Sequence, residues 1–359
     1  MKNSACRIPG FMVLALLLLA LHAAAEENEV HFGVLGLFHP QEIVLEPDQN
    51  QALSIKPAGE ASAPGVILNG EPGKRRLVFH AGMNAVVVNG QSAGSWIVTA
   101  RNGSKTSFAL SVPGKLRRVY RGRLTIEMRN GELVAVVAIE LEAAVASIVA
   151  AEMSESAPLE ALKAQAIVTR SFVMAGARHF DFDFCDTTHC QFLKSPPAAG
   201  SRVWSAVEAT RGWAIVFHGK PLAALYSSRC GGTTRTLRQA GYDSGADEAG
   251  TYPYYAVECP WCRKHPLEWL RYFNAQQKPP VAGNERQRII TDRQWGWGAL
   301  PGNDFRAQEQ NGGWFVEGHN AGHGVGLCQY GAIGMAAEGA RYRAILAHYY
   351  PNTSLMKIA

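Results

Sequence analysis

Short apolar runs separated by turn residues fill the first third of the chain. From residue 27 to about 112, "HFGVLGLF", "EIVLEP", "SIKPAG", "GVILNG", "RRLVFHAG", "NAVVVNG", "GSWIVTA" and "FALSVPG" follow one another with Gly, Pro and Asn between them. Their spacing, roughly eight to twelve residues, predicts a small antiparallel β module. Next, "RRVYRGRLTIEMRNGELVAVVAI" alternates on both sides of Asn130-Gly131, a pair that favours a tight hairpin turn.

The alternation then gives way to longer Ala- and Leu-rich segments. One helix is predicted from about Ile139 to Ala151, and a second from near Ser156, with Pro158 in its opening turn, to about Arg178. Glu152 falls in the gap between them. Beyond residue 210, "GWAIVFHG" and "PLAALYSS" read as strands, loops rich in Gly, Trp and Pro follow, and "GAIGMAAEGARYRAILAHYY" reads as one closing helix. Strands and helices gathered in separate runs predict an α+β fold, a mixed antiparallel β-sheet with a few helices. The expected division is a β-rich N-terminal module at 26–112 and a domain carrying the chemistry at 113–359.

A chain of 359 residues is long enough for one large or two modest domains, each with its own core. Its start changes the picture more. Lys2 and Arg7 precede "FMVLALLLLALHAAA", and Ala23-Ala24-Ala25 stands before Glu26, the pattern of a cleavable secretory signal over 1–25. That apolar run is shorter than the ~20 residues a bilayer span requires. The mature protein is therefore expected to be exported, periplasmic or extracellular, with no stable membrane span. A net charge of +5, with Lys and Arg dispersed, leaves no footprint for nucleic acid and favours an anionic matrix such as cell wall only weakly.

Three groups of residues are candidates for chemistry. In "AAEMSESAPLEALKAQAIVTR", Lys163 and Arg170 stand seven positions apart, nearly two helical turns, so they share a face. That face is either a solvated stripe or one wall of a polar cleft. Glu152, at the end of the first helix, would meet the negative end of the helix dipole, and burial among its apolar neighbours would add to the effect. Both raise a carboxyl pKa toward the range a general acid needs.

The second group, in "ARHFDFDFCDTTHCQFL", is His179, Cys185, His189 and Cys190. Two imidazoles and two thiolates suit a structural zinc, while export makes a Cys185–Cys190 disulfide the alternative. The third is Cys230, Cys259, Cys262 and Cys328, which allow two disulfides or a second, all-Cys zinc site. An oxidising compartment favours the disulfides. No βαβ pattern surrounds "CPWC" to suggest redox chemistry. His323 lies between glycines in "GHGVG", where backbone can approach a ligand closely.

Three of these stretches carry a resemblance. "AAEMSESAPLEALKAQAIVTRSF", "LYSSRCGG" and "AGHGVGLCQYGAIGMAAEG…ILAHYYPNTSL" resemble, in order, the signatures of the stage II sporulation protein D family, which also includes the amidase enhancers. The resemblance spans about residue 117 to the end. It implies a lytic transglycosylase acting on peptidoglycan glycan strands, cutting between MurNAc and GlcNAc and leaving a 1,6-anhydro-muramyl end. It casts Glu152 as the acid/base, and Lys163 and Arg170 as helping to form the cleft. His323 would bind substrate or orient Glu152, and Tyr226, Ser227 and Ser228 would be glycan hydrogen-bonding candidates. Because some members bind zinc through this pattern, it also favours zinc at His179, Cys185, His189 and Cys190. The alternative function it carries is a non-catalytic wall-binding enhancer of an N-acetylmuramoyl-L-alanine amidase. Two departures stand out: Ala143 and Ala144 replace an Asp-Tyr pair near the acid, and Cys328 replaces a common Ser.

Overall fold

The computed structural model describes residues 29–48, 51–59, 65–101, 106–242 and 251–358; the expected signal at 1–25 lies outside them. The architecture is α+β, with mostly antiparallel sheets and seven α-helices among the described residues. No helix among them is long and apolar enough to cross a membrane.

Contacts divide the chain into two units. The first contains residues up to Ala144 together with His179–Asp186. Each apolar run of the β module forms a strand, and these combine into a seven-stranded and a six-stranded sheet. Alternating side chains such as Ile43, Leu45, Phe79, Trp96, Val98, Phe108 and Leu110 are fully buried. Trp96 satisfies its indole N–H on the Val86 carbonyl, 3.1 Å away in the other sheet.

The hairpin forms as expected, Arg123–Arg129 against Glu132–Glu140, with Asn130 and Gly131 both at positive φ (49° and 82°). By its contacts it groups with the first unit, which runs to Ala144. The reason is long-range pairing: Glu132–Glu140 aligns with Glu29–Val34, and Arg123–Arg129 with Ser95–Ala100. Residues 179–186 join the same unit because Phe184–Cys185 extends this sheet and buried Asp186 accepts from Arg118 at 3.0 Å and Tyr120 at 3.1 Å.

Helix α1 is Leu141–Glu152, its first residues in the first unit and the rest in the second. The second unit continues with α2 (Leu159–Met174), α3 (Arg202–Ala209), α4 (Pro260–Lys264), α5 (Glu285–Trp295), α6 (Gln329–Ala337) and α7 (Tyr342–Tyr349). Helix α2 is central: twelve of its residues are buried, and α3, α6 and α7 pack on it. It stops at Met174, before the expected Arg178, as the chain turns through Gly176 at φ 123°.

Two further expectations change. The closing helix is broken in two at Glu338–Arg341, where Gly339 takes φ 94°. The supposed loop region holds a three-stranded sheet, Phe305–Gln310 and Trp269–Asn274 flanking Gly313–Gly318, as well as α5. A short parallel pair, Tyr226–Ser227 with Leu327–Cys328, brings two of the quoted motifs side by side.

Candidate active site

A cleft of about 740 Å³ lies within the second unit. Glu152 reaches it from the last residue of α1, the position expected from the sequence. Burial raises its carboxyl pKa to about 7, against the opposing effects of a hydrogen bond with Gln329 and the charge of Lys194. Gln329 also donates to the Gln165 side chain of α2 at 3.4 Å.

Tyr226, Ser227, Ser228 and His323 line the same cleft. The Tyr226 hydroxyl donates to Gln191 at 2.8 Å, and burial and the Glu152 charge hold its pKa well above the ordinary tyrosine value. Ser227 is buried, yet its hydroxyl has no hydrogen-bond partner among the described residues, which leaves it available to a ligand. Gly322, at φ 84°, allows this approach: an added Cβ would come within 3.2 Å of the Ser227 Cβ. His323 accepts from the Val325 N–H through Nδ1 at 3.0 Å, and its ring also hydrogen-bonds the backbone of Tyr226. Burial lowers its pKa, so the imidazole is neutral near pH 7 and serves to hold the Tyr226 strand.

Lys163 and Arg170 do not line this cleft. Lys163 pairs with Glu160 at 2.6 Å, and Glu160 accepts from the backbone of Tyr342 at 2.9 Å. Arg170 is fully buried and donates to the carbonyls of Trp213 at 3.0 Å and Val207 at 3.5 Å. They share a helix, as spacing required, but their face is packed against protein. The cations that do line the cleft are Arg178, Arg286, Arg288 and Arg293.

Three of those four come from α5, which the hydrophobic pattern missed. "ERQRIITDRQW" contains too few apolar residues to show a 3.6 period. Its ends were nevertheless signalled: Asn284 caps it by accepting from Gln287 N–H at 2.9 Å, Glu285 sits in the first turn, Arg293 in the last, and Gly296 follows. Glu285, the other carboxylate lining the cleft, is engaged through both oxygens by Arg288, at 2.7 and 2.8 Å. Arg288 also reaches Asp292 at 2.7 Å.

His189 and Cys190 line the cleft as well; His179 and Cys185 belong to the first unit. His189 Nδ1 and Cys190 Sγ are 3.4 Å apart. Ordinary zinc bond lengths at a tetrahedral angle place a nitrogen and a sulfur about 3.6 Å apart, so these adjacent residues fit as ligands of one ion.

Such an arrangement defines an α+β protein with one near-neutral carboxyl at a helix end, hydrogen-bonded to Gln329 and sharing its cleft with hydroxyls and arginines. A family model of the stage II sporulation protein matches residues 129–217, which include Glu152. Stage II sporulation protein D of Bacillus amyloliquefaciens is 30% identical over 262 residues, 60% of this chain and 74% of that protein. Its Bacillus subtilis counterpart is 28% identical over the same shares, and an uncharacterised protein of Brachyspira hyodysenteriae 28% over 273 residues, 66% of this chain and 72% of that one. The chain belongs to the stage II sporulation protein family.

One consequence of the geometry concerns Gln329. Because its hydrogen bond opposes the upward shift of Glu152, Gln329→Leu is expected to raise that pKa further. Carboxyl ¹³C titration of the folded protein measures it, and an unchanged or lowered value would show that Gln329 does not bond the ionised form.

Proposed function

We propose that the protein is an exported peptidoglycan lytic transglycosylase with Glu152 as its single acid/base. The observation that carries this reading is a carboxyl with a pKa of about 7 in a cleft whose other lining carboxylate is held by an arginine. Ordinary glycoside hydrolysis uses two carboxyl groups, the second as nucleophile or as base for water. An intramolecular hydroxyl removes that need.

In the proposed reaction, protonated Glu152 gives its proton to the oxygen linking MurNAc to GlcNAc as the bond from that oxygen to the MurNAc anomeric carbon breaks. The 6-hydroxyl of the same MurNAc attacks that carbon and returns its proton to Glu152. The products are a GlcNAc-terminated fragment and a 1,6-anhydro-muramyl end; no water is consumed and the acid is regenerated. In this reading Ser227 and Tyr226 would bond sugar hydroxyls, and Arg178, Arg286 and Arg293 would meet lactyl or peptide carboxylates.

Zinc at His179, Cys185, His189 and Cys190 is proposed on its ligand chemistry. Four protein ligands leave no position for water, so the ion would shape the site and the proton would still pass through Glu152. Mass spectrometry of fragments released from peptide-free glycan strands tests the function: anhydro-muramyl ends are expected from the wild type and at least about a hundredfold fewer from Glu152→Gln. Binding by both proteins with product from neither would transfer the reading to an amidase enhancer.

Arg286 and Arg293 are seven residues apart on one exposed face of α5. Their single alanine variants should each raise KM for carboxyl-bearing strands about fivefold at low salt, on the order of 1 kcal/mol, with kcat retained. Steady-state assays across ionic strength check this; a fall in kcat at constant KM would place these arginines in the chemical step instead.

A further inference from the structure

Four buried thiols in the second unit take no part in the reaction just described. Cys230 follows the strand Tyr226–Ser227, Cys259 caps α4, Cys262 lies within α4, and Cys328 ends the strand Leu327–Cys328 and caps α6. Each is at most 2% exposed, and all four Sγ atoms lie within 4.8 Å of one another. All four also fall outside the segment matched by the family model.

Mutual proximity is the informative feature. A zinc–sulfur bond of about 2.3 Å sets tetrahedral sulfurs about 3.8 Å apart, every sulfur adjacent to the other three. Two disulfides require only two close pairs and place no such demand on the remaining distances. Cys262 Sγ and Cys328 Sγ stand 3.4 Å apart, and Cys259-x-x-Cys262 has the spacing of a metal-binding turn. Donors surround the cluster: Tyr349 Oη lies 3.4 Å from Cys259 Sγ, and the Gly331 N–H donates to Cys328 Sγ at 3.4 Å. An added Cβ at Gly331 would lie 2.6 Å from Cys259 Sγ, so the cage admits no side chain there.

We infer that Cys230, Cys259, Cys262 and Cys328 form a structural four-thiolate zinc site, distinct from the His/Cys set. Binding releases the thiol protons, and the two neighbouring donors help to carry the negative charge that results. The site ties α4 to both strands of the pair that carries Tyr226 and Ser227. Cys328 also directly precedes Gln329, the cleft residue bonded to Glu152, so the metal would brace the segments that carry Ser227 and Gln329. That last clause rests on the proposed function, but the site itself does not.

The test uses the full mature chain carrying Cys185→Ser and Cys190→Ser, which removes half of the other ligand set. About one zinc per chain is expected, with an X-ray absorption shell of four sulfurs at about 2.3 Å. Adding Cys262→Ser should abolish that zinc. Should either variant fail to fold, the unaltered chain supplies the readout: cysteines 230, 259, 262 and 328 resist alkylation until zinc is extracted, then all react. Peptide mapping that finds these cysteines in disulfides, a mixed nitrogen and sulfur shell in the double variant, or iron in place of zinc would overturn the assignment. None of these measurements depends on enzymatic activity, so their failure is separable from failure of the transglycosylase reading.

Discussion

Under the proposed transglycosylase mechanism, replacing Glu152 with Gln is expected to lower turnover of glycan strands by about 10²–10⁴-fold while strand binding survives, since a positioned acid/base contributes a factor of that size. The same residue should shape the pH profile. In the proposed reaction its protonated form acts first, and with a pKa of about 7 that form is abundant at neutral pH but lost above it. Wild-type kcat/KM should therefore fall on an alkaline limb centred near 7. Unchanged activity in Glu152→Gln, or an alkaline limb that does not follow the Glu152 pKa measured by carboxyl ¹³C titration, would remove Glu152 from the chemistry.

Stability should respond to the same group. The folded-state pKa of Glu152 lies above its ordinary value of 4.5, so the folded protein binds the proton more tightly than the unfolded chain. Stability associated with this proton is full below about 4.5 and is lost as pH rises toward 7. The difference of roughly 2.5 pKa units corresponds to about 3 kcal/mol. Glu152→Gln, neutral at every pH, should remove this loss and be more stable than wild type at pH 8. Urea unfolding at pH 4.5 and 8 checks the sign, and an equal pH dependence in both proteins would refute it. An active-site acid that costs stability at working pH is a common trade between fold and function.

The second large effect is structural. Arg170→Ala removes a fully buried side chain that satisfies the carbonyls of Trp213 and Val207. A cavity and unsatisfied carbonyls together predict about 3–5 kcal/mol of destabilisation, or a Tm lower by roughly 10 °C. Lys163→Ala, which deletes one i,i+3 ion pair, should cost no more than about 1 kcal/mol. Thermal unfolding of both variants distinguishes this from a cleft role: an Arg170→Ala protein of wild-type stability but impaired turnover would restore Arg170 to the substrate path.

The fate of these two residues shows what a one-dimensional pattern contains. Helical spacing correctly places Lys163 and Arg170 on one face of α2, but spacing carries no information about what that face meets. Arg170 is enclosed by α3 and the strand beginning at Trp213, elements that arrive more than thirty residues later. The arginines that reach the cleft lie on α5, a helix with a polar sequence whose stability comes from its cap and from the Arg288 network, so hydrophobic periodicity did not reveal it.

Local rules by themselves determined a good deal. Alternation and turn chemistry determined the β-rich start and the Asn130-Gly131 hairpin. Ala-rich periodicity determined α1 and α2, and with them the place of Glu152 at a helix end, because each depends on residues a few positions apart. Tertiary structure decided the rest. Sheet pairing drew the hairpin into the first unit, burial moved the Glu152 carboxyl to a near-neutral pKa, and chain crossings gathered Cys230, Cys259, Cys262 and Cys328 within a few ångströms. Desolvation and long-range contact depend on which distant segments meet, and that is set by how the whole core packs.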